Sequence, residues 1–382
     1  MTLLPLKYCE GGIMLPELLT NFFNSKTKTM MKKITATAFV LLAIFNGLFA
    51  QDSTKGTFKI SGSADVYYRF NPGADGASFK NNLTSFTNSN NTFQLGMASV
   101  KGEYTHGKAG VVVDLGFGKR AEEFSYADEG TLQSVKQAYI YYSPSDKVKF
   151  TFGKFATHIG YELLDPQLNK NYSMSYMFTN GPFSHTGVKA DFTLGSGAGL
   201  MIGIANPIDV TAPEDGNTPK TILFQLSKTA DKFSVFLNYA GYFGAKQQMP
   251  AASSFNQIGL TAAYTVNDKF SLGYDGTIQM VKDEILDKSK SWWASALYAN
   301  YTTSSKFGLS LRGEYFSDKK DAVKIGANVL AATLSGNYKV GGFTLIPELR
   351  LDNSNYEIFS KNKIGDPTKT SISAILAAVY AF

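Results

Sequence analysis

The chain has 382 residues, with 37 Lys and Arg against 31 Asp and Glu, for a formal net charge of +6. That balance is too small to argue for a nucleic-acid surface. Its one cysteine, Cys9, excludes a disulfide framework.

Residues 30–50, MMKKITATAFVLLAIFNGLFA, are the first readable element. Lys32 and Lys33 precede an apolar stretch, 34–45, and Ala50 supplies a small residue at a cleavage point. This is the layout of a secretory signal peptide, too short and too weakly flanked for a spanning helix. Such a signal carries its basic end at the N-terminus, so residues 1–29 read as an upstream extension from a mis-called start. Removing 1–50 removes Cys9, and with it thiol chemistry and an acylated N-terminal anchor. It leaves 32 bases and 29 acids in 51–382.

Beyond residue 50 no uninterrupted apolar run approaches the ~18 residues of a membrane helix. Period-2 alternation replaces it. Alternating segments fall near 57–70, 92–104, 109–118, 133–143, 147–158, 185–195, 198–206 and 220–228. Others follow near 232–243, 255–266, 269–281, 291–302, 305–317, 327–339, 342–353 and 371–382. In KFSLGYDGTIQM (269–280), Phe270, Leu272, Tyr274, Ile278 and Met280 oppose Ser271, Asp275, Thr277 and Gln279. FGLSLRGEY (307–315) and FTLIPELRL (343–351) repeat the pattern, placing Arg312, Glu348 and Arg350 on polar faces. Strict alternation marks half-buried β-strands. Strands of globular proteins average ~5–6 residues, whereas a tilted bilayer crossing takes ~9–11, the length found here.

The gaps between segments alternate as well. NPGADGASFKNNLTSFTNSNN, GKRAEEFSYADEGTL, NPIDVTAPEDGNTP and SDKKDAVKIGA are long and polar; THGK, SPSD, TADK, VNDK and KVGG are tight. Short periplasmic turns and long extracellular loops are the asymmetry of outer-membrane barrels. The fold class expected is therefore all-β, a transmembrane antiparallel β-barrel of about 16 strands. Counts of 14 or 18 stay open, because TFQLGMASVKGEY and SWWASALYANY are apolar on both faces. In such a barrel the apolar face meets lipid, and charges such as Asp65, Asp114, Asp191, Arg312 and Arg350 meet lumen water. Trp292 and Trp293 are expected in the interfacial aromatic girdle.

One loop differs from the rest. IGYELLDPQLNKNYSMSYMFTNGPFS (159–184) is rich in Tyr, Leu, Met and Phe, so it needs a surface to pack on. The inner barrel wall is the surface available. Glu162, Asp165 and Lys170 are its candidate constriction charges, Lys154, Lys189 and Arg350 are candidates for the opposing wall, and Arg312 and Glu348 are further pore-lining candidates. His158 and His185 flank the loop; a metal site or a Ser–His pair with Ser173, Ser175 or Ser184 is a weaker reading, and His106 lies in a tight turn. No catalytic residue, metal or cofactor is expected.

The segment FGKFATHIGYELLDP…NYSMSYMFTNGPFSHTGVKADF (152–192) resembles the OmpL-like β-barrel porins of the Bacteroidetes outer membrane. The matching positions are Gly153-Lys154-Phe155, Gly160, Glu162, the Asn171-Tyr172-Ser173 run, Pro182, His185 and Gly187. The resemblance implies a porin-like channel and transfers no substrate. Passive diffusion of small hydrophilic solutes is the expected function, with an adhesin-like surface barrel or a barrel hydrolase as alternatives. The expected partners are outer-membrane lipid, lipopolysaccharide and barrel-assembly machinery, with homo-oligomers also expected. The C-terminal SISAILAAVYAF places Tyr380 and Phe382 on the lipid face of the closing strand, where a terminal aromatic resembles an assembly signal.

Overall fold

In hydrocarbon every backbone N–H and C=O needs a protein partner, so a sheet survives only when its two edges meet. A computed structural model describes residues 56–74, 81–213, 218–242, 254–283, 288–361 and 366–382. The signal peptide and the upstream extension lie outside the described residues.

The first strands are β1 (Thr57–Phe70), β2 (Thr92–His106), β3 (Ala109–Phe117), β4 (Val135–Ser145), β5 (Val148–Ala156) and β6 (Ser184–Gly195). Next come β7 (Ala198–Ala205), β8 (Thr221–Thr229), β9 (Phe233–Tyr242), β10 (Ser254–Asn267), β11 (Phe270–Asp283) and β12 (Lys288–Thr302). The chain ends with β13 (Phe307–Ser317), β14 (Asn328–Val340), β15 (Phe343–Ser354), the two-residue β16 (Phe359–Ser360) and β17 (Pro367–Thr368), and β18 (Thr370–Ala381). β16 and β17 pair with each other in the last long loop. The other sixteen form one closed antiparallel barrel in chain order, β18 returning to β1. The closing register runs from Ser63 opposite Ala381 to Phe70 opposite Ala374. Phe382 extends it through two backbone bonds with Gly62, at 3.0 and 3.1 Å.

Side-chain alternation follows the sequence pattern. On β11, Leu272, Ile278 and Met280 are exposed toward lipid, whereas Asp275, Thr277 and Gln279 are buried inside. Tyr142, Tyr264, Tyr301, Tyr338 and Tyr380 are exposed close to the tight turns, as an interfacial aromatic belt requires. Trp293 points outward but Trp292 does not. Its indole is 1% exposed and donates to Gln279 Oε1 at 2.9 Å, so it belongs to the interior rather than to the girdle.

Two further expectations change. Strand β5 ends at Ala156 rather than 158, because Thr157 already donates to the Phe183 carbonyl and His158 turns inward to the Tyr239 carbonyl. The inward charges are also less free than a wet lumen suggests. Asp65, Asp114, Arg312 and Arg350 are all buried, and only Asp191 keeps partial exposure. What covers them is the chain itself.

Candidate functional site

Strands β5 and β6 are neighbours in the barrel, so the chain between them, 157–183, needs only a short turn to join them. It instead crosses the interior. Most of its backbone is irregular, with a 3-10 turn at Pro166–Leu168 and one short α-helix, α2 (Tyr176–Asn180), which Ser175 Oγ caps by accepting from Phe178 N (α1 is Lys119–Phe124 in the preceding long loop). An irregular segment carries N–H and C=O groups that nothing within it satisfies. The wall supplies the partners.

Carboxylates on the strands take the loop's N–H groups. Asp275 accepts from Tyr161 N at 2.9 Å, Glu348 from Tyr172 N and Ser173 N at 2.7 and 3.1 Å, and Glu314 from Tyr176 N at 2.9 Å. Asp65 takes the Tyr172 hydroxyl at 2.5 Å, and Asp352 that of Tyr176 at 3.0 Å. Arginines take the carbonyls: Arg312 donates to Ser173 O and Arg350 to Met174 O, both at 2.7 Å. Within this lattice Glu162, from the loop, meets Arg312 at 2.6 Å and also accepts from Ser175 N and Tyr298 OH. Arg350 bridges Glu314 at 3.3 Å and Asp352 at 2.8 Å. The lattice alternates in sign, which is what buried charges require.

Apolar contacts complete the seating. Tyr176 stacks on Phe316 at 5.2 Å between ring centroids, and Tyr161 on Tyr298 at 4.3 Å. Met174, Phe178 and Phe183 cluster with Phe86 and Phe124 from the first two long loops. Arg120, fully buried on α1, lies 5.0 Å from the ring centroids of both Phe86 and Tyr172 and donates to Leu164 O. Three segments meet at this one guanidinium. Cavities remain beside the loop. One of about 330 Å³ is lined by His158, Glu162, Gln225, Phe236 and Thr261, and one of about 290 Å³ by Tyr161, Lys170, Asn171, Tyr298 and Asn300.

Residues 57–382 match the family described as "putative beta-barrel porin-2, OmpL-like". The chain belongs to that family of porins. It is an outer-membrane β-barrel protein of bacteria. Solved structures agree on the fold at low identity. The anion-selective porin from Comamonas acidovorans has a TM-score of 0.58 at 12% identity, covering 86% of this chain and 100% of that one. The outer-membrane channel DcaP of Acinetobacter baumannii gives 0.57 at 14% identity over 87% and 99%. OmpT of Vibrio cholerae gives 0.56 at 15% identity over 87% and 99%. No curated protein matches the chain in sequence.

In this OmpL-like porin the sequence-predicted charges separate into three groups. Glu162, Arg312, Glu348 and Arg350 come together, buried, as the anchor of the loop. Arg350 therefore stands with Glu162 and Arg312 rather than opposite them. Lys154 is elsewhere: buried, it binds Asp128 at 2.7 Å, and Thr211 Oγ1 donates to the same carboxylate, tying β5 to two extracellular loops. Asp165, Lys170 and Lys189 keep solvent contact, with Asp165 2.6 Å from Lys136 and Lys189 2.8 Å from Asp191. His158 and His185 lie with ring centroids 5.6 Å apart, His158 bonded to the Tyr239 carbonyl and His185 to Thr157 Oγ1. Among the described residues no group of three or more His, Cys, Asp or Glu is placed to hold a metal. Sequence reasoning missed Arg120, Glu314 and Asp275 as anchors. The alternation flagged Glu314 and Asp275 as inward, but nothing local showed which inward charges would meet the loop.

Proposed function

We propose that this barrel is a passive diffusion channel for small hydrophilic solutes, narrowed by loop 157–183. The observation that carries the reading is the loop itself, held across the interior by bonds to β1, β11, β13 and β15. A segment so anchored sets a fixed aperture, which is how a pore sieves by size and charge. The cavities of about 330 and 290 Å³ beside it, partly lined by polar side chains, are the aqueous volume on this reading. Of the candidate constriction charges, Asp165 and Lys170 act directly on solutes, while Glu162, Arg312, Glu348 and Arg350 act by holding the loop. Lys189 contributes from the β5–β6 wall, while Lys154 holds β5 to the extracellular loops through Asp128. The barrel performs no catalysis and needs no cofactor.

Around the barrel, lipid covers the apolar belt and lipopolysaccharide faces the long loops. Tyr380 and Phe382 serve as the signal read by barrel-assembly machinery, and oligomers form through the outer wall. Conductance of the purified mature barrel in planar bilayers tests the channel. Stepwise openings of porin size are expected. A folded barrel that stays silent would instead favour a surface protein acting through its loops.

A further inference from the structure

We propose that the lumen favours small anions. This inference rests on the channel reading above and names its substrate class from the charges that still face water once loop 157–183 is seated.

The deep acids are already occupied. Asp65, Asp275, Glu314 and Glu348 are each buried and accept backbone N–H groups, from Met97, Tyr161, Tyr176 and Tyr172 respectively. Glu162, Asp114 and Asp352 each lie beside an arginine or lysine. An in-folded irregular loop needs acceptors for its amides, and the wall spends its carboxylates on that need.

The ammonium groups are left over. Paired residues on adjacent antiparallel strands share a face. Lys101 pairs with the buried Asp114, Lys189 with the buried Thr151, and Lys149 with Asp191 on the same inner face of β6 as Lys189. Lys59 lies four positions before the buried Ser63, on the same face of β1. These four lysines thus point inward from β1, β2, β5 and β6, Lys189 at mid-strand and the others in the periplasmic halves of their strands, and all are exposed or half-buried. Lys170 joins them from the loop. Lys59, Lys101 and Lys170 have no carboxylate in ion-pairing range among the described residues. Lys149 rests over the Tyr141 ring at 4.1 Å. Against them stand Glu103, opposite Lys59 in the β1–β2 register, and Asp165 and Asp191, which are paired with Lys136 and Lys189.

Ammonium groups on one side of a wet vestibule with low-dielectric walls focus a positive potential into it. Lysine is a hydrated point charge rather than a bidentate clamp, so it attracts carboxylates, phosphates or halides without holding them. The potential reaches about 10 Å at 0.1 M salt and about 3 Å at 1 M, so selectivity depends on ionic strength.

The test is the reversal potential of the purified, folded barrel in a potassium chloride gradient. A chloride-to-potassium permeability ratio above about 2 is expected near 0.1 M salt, falling toward unity near 1 M as screening shortens the field. The double variant Lys101→Glu, Lys149→Glu leaves every anchor of loop 157–183 in place, and heat-modifiable gel mobility verifies its folding. Its ratio should fall at least about twofold, toward cation preference. A wild-type ratio at or below unity, or a double variant indistinguishable from wild type, overturns the anion inference and leaves the channel standing. A folded barrel without conductance overturns the channel reading and this inference together.

Discussion

Asp209, in the long loop after β7, is 2% exposed and accepts three hydrogen bonds. They come from Phe183 N at 2.7 Å, Ser184 N at 2.8 Å and Tyr126 OH at 3.1 Å, so this side chain fastens the end of loop 157–183 to two extracellular loops. Burial pushes its carboxyl up from 3.8 to about 6, against the lowering effect of those donors. The folded state therefore holds the proton more tightly than the unfolded chain. By linkage, local stability is greatest below about pH 4, declines as pH rises to about 6, and is flat above that. Hydrogen exchange at the Phe183 and Ser184 amides, corrected for intrinsic rates, should show protection falling across that window. Asp209→Asn keeps an acceptor for both amides but does not titrate, so its protection should be level with pH. A wild-type profile equally level would show that Asp209 does not control this junction.

At the scale of elements, the loop and the wall hold each other through charges of opposite sign. Arg312→Ala leaves Glu162 and Glu314 without their shared cation and Ser173 O without a donor. Breaking one side of a buried pair costs about 3–5 kcal/mol, so protection of the Ser175 and Tyr176 amides should fall by roughly a hundredfold or more while the barrel stays closed. Glu162→Gln retains the shape and an acceptor, and its loss should be about tenfold, the difference between a charge-assisted and a neutral bond. Equal exchange rates in wild type and Arg312→Ala would mean that the apolar clusters alone seat the loop. The loop's presence was legible beforehand, because a long segment carrying Tyr172, Met174, Tyr176 and Phe178 needs a packing surface. Its partners were not. Glu162 lies 150 residues from Arg312, and Tyr172 176 residues from Glu348, separations at which no local pattern operates.

For the whole molecule the decisive junction is the seam. Ile372, Leu376 and Tyr380 face lipid from β18, while Ile375, Ala377 and Val379 pack inward on Tyr67 and Tyr172. The Phe382 ring lies over Gly62, where an added Cβ would sit 2.7 Å from the ring, and its backbone makes both bonds with Gly62. Deleting Phe382 should lower the fraction of heat-modifiable, folded barrel severalfold, since an unclosed edge leaves polar backbone in lipid. Gly62→Val keeps the terminal residue but displaces the ring and presses on the Ser99 carbonyl of β2, 2.6 Å from the added Cβ, so a loss of folded barrel is expected there too. Folding yields unchanged by the deletion would show that β1 and β18 close without the terminal pair.

The architecture was a matter of sequence alone. Period-2 alternation over bilayer-length segments, with tight and long connections in turn, points to a closed antiparallel barrel of about sixteen strands; the closed sheet settles the count that the two-faced segments 92–104 and 291–302 left open. The reason is that backbone satisfaction in hydrocarbon is a rule each segment obeys by itself. Alternation also says which side chains point inward, but an inward charge is wet or dry according to what crosses the lumen in front of it. Tertiary structure decided that. It buried Arg312, Glu348 and Arg350 of the wall against loop 157–183, with the loop's own Glu162 among them, and left Lys59, Lys101 and Lys149 to water, because the path of an irregular loop follows the donors and acceptors it can reach across the barrel.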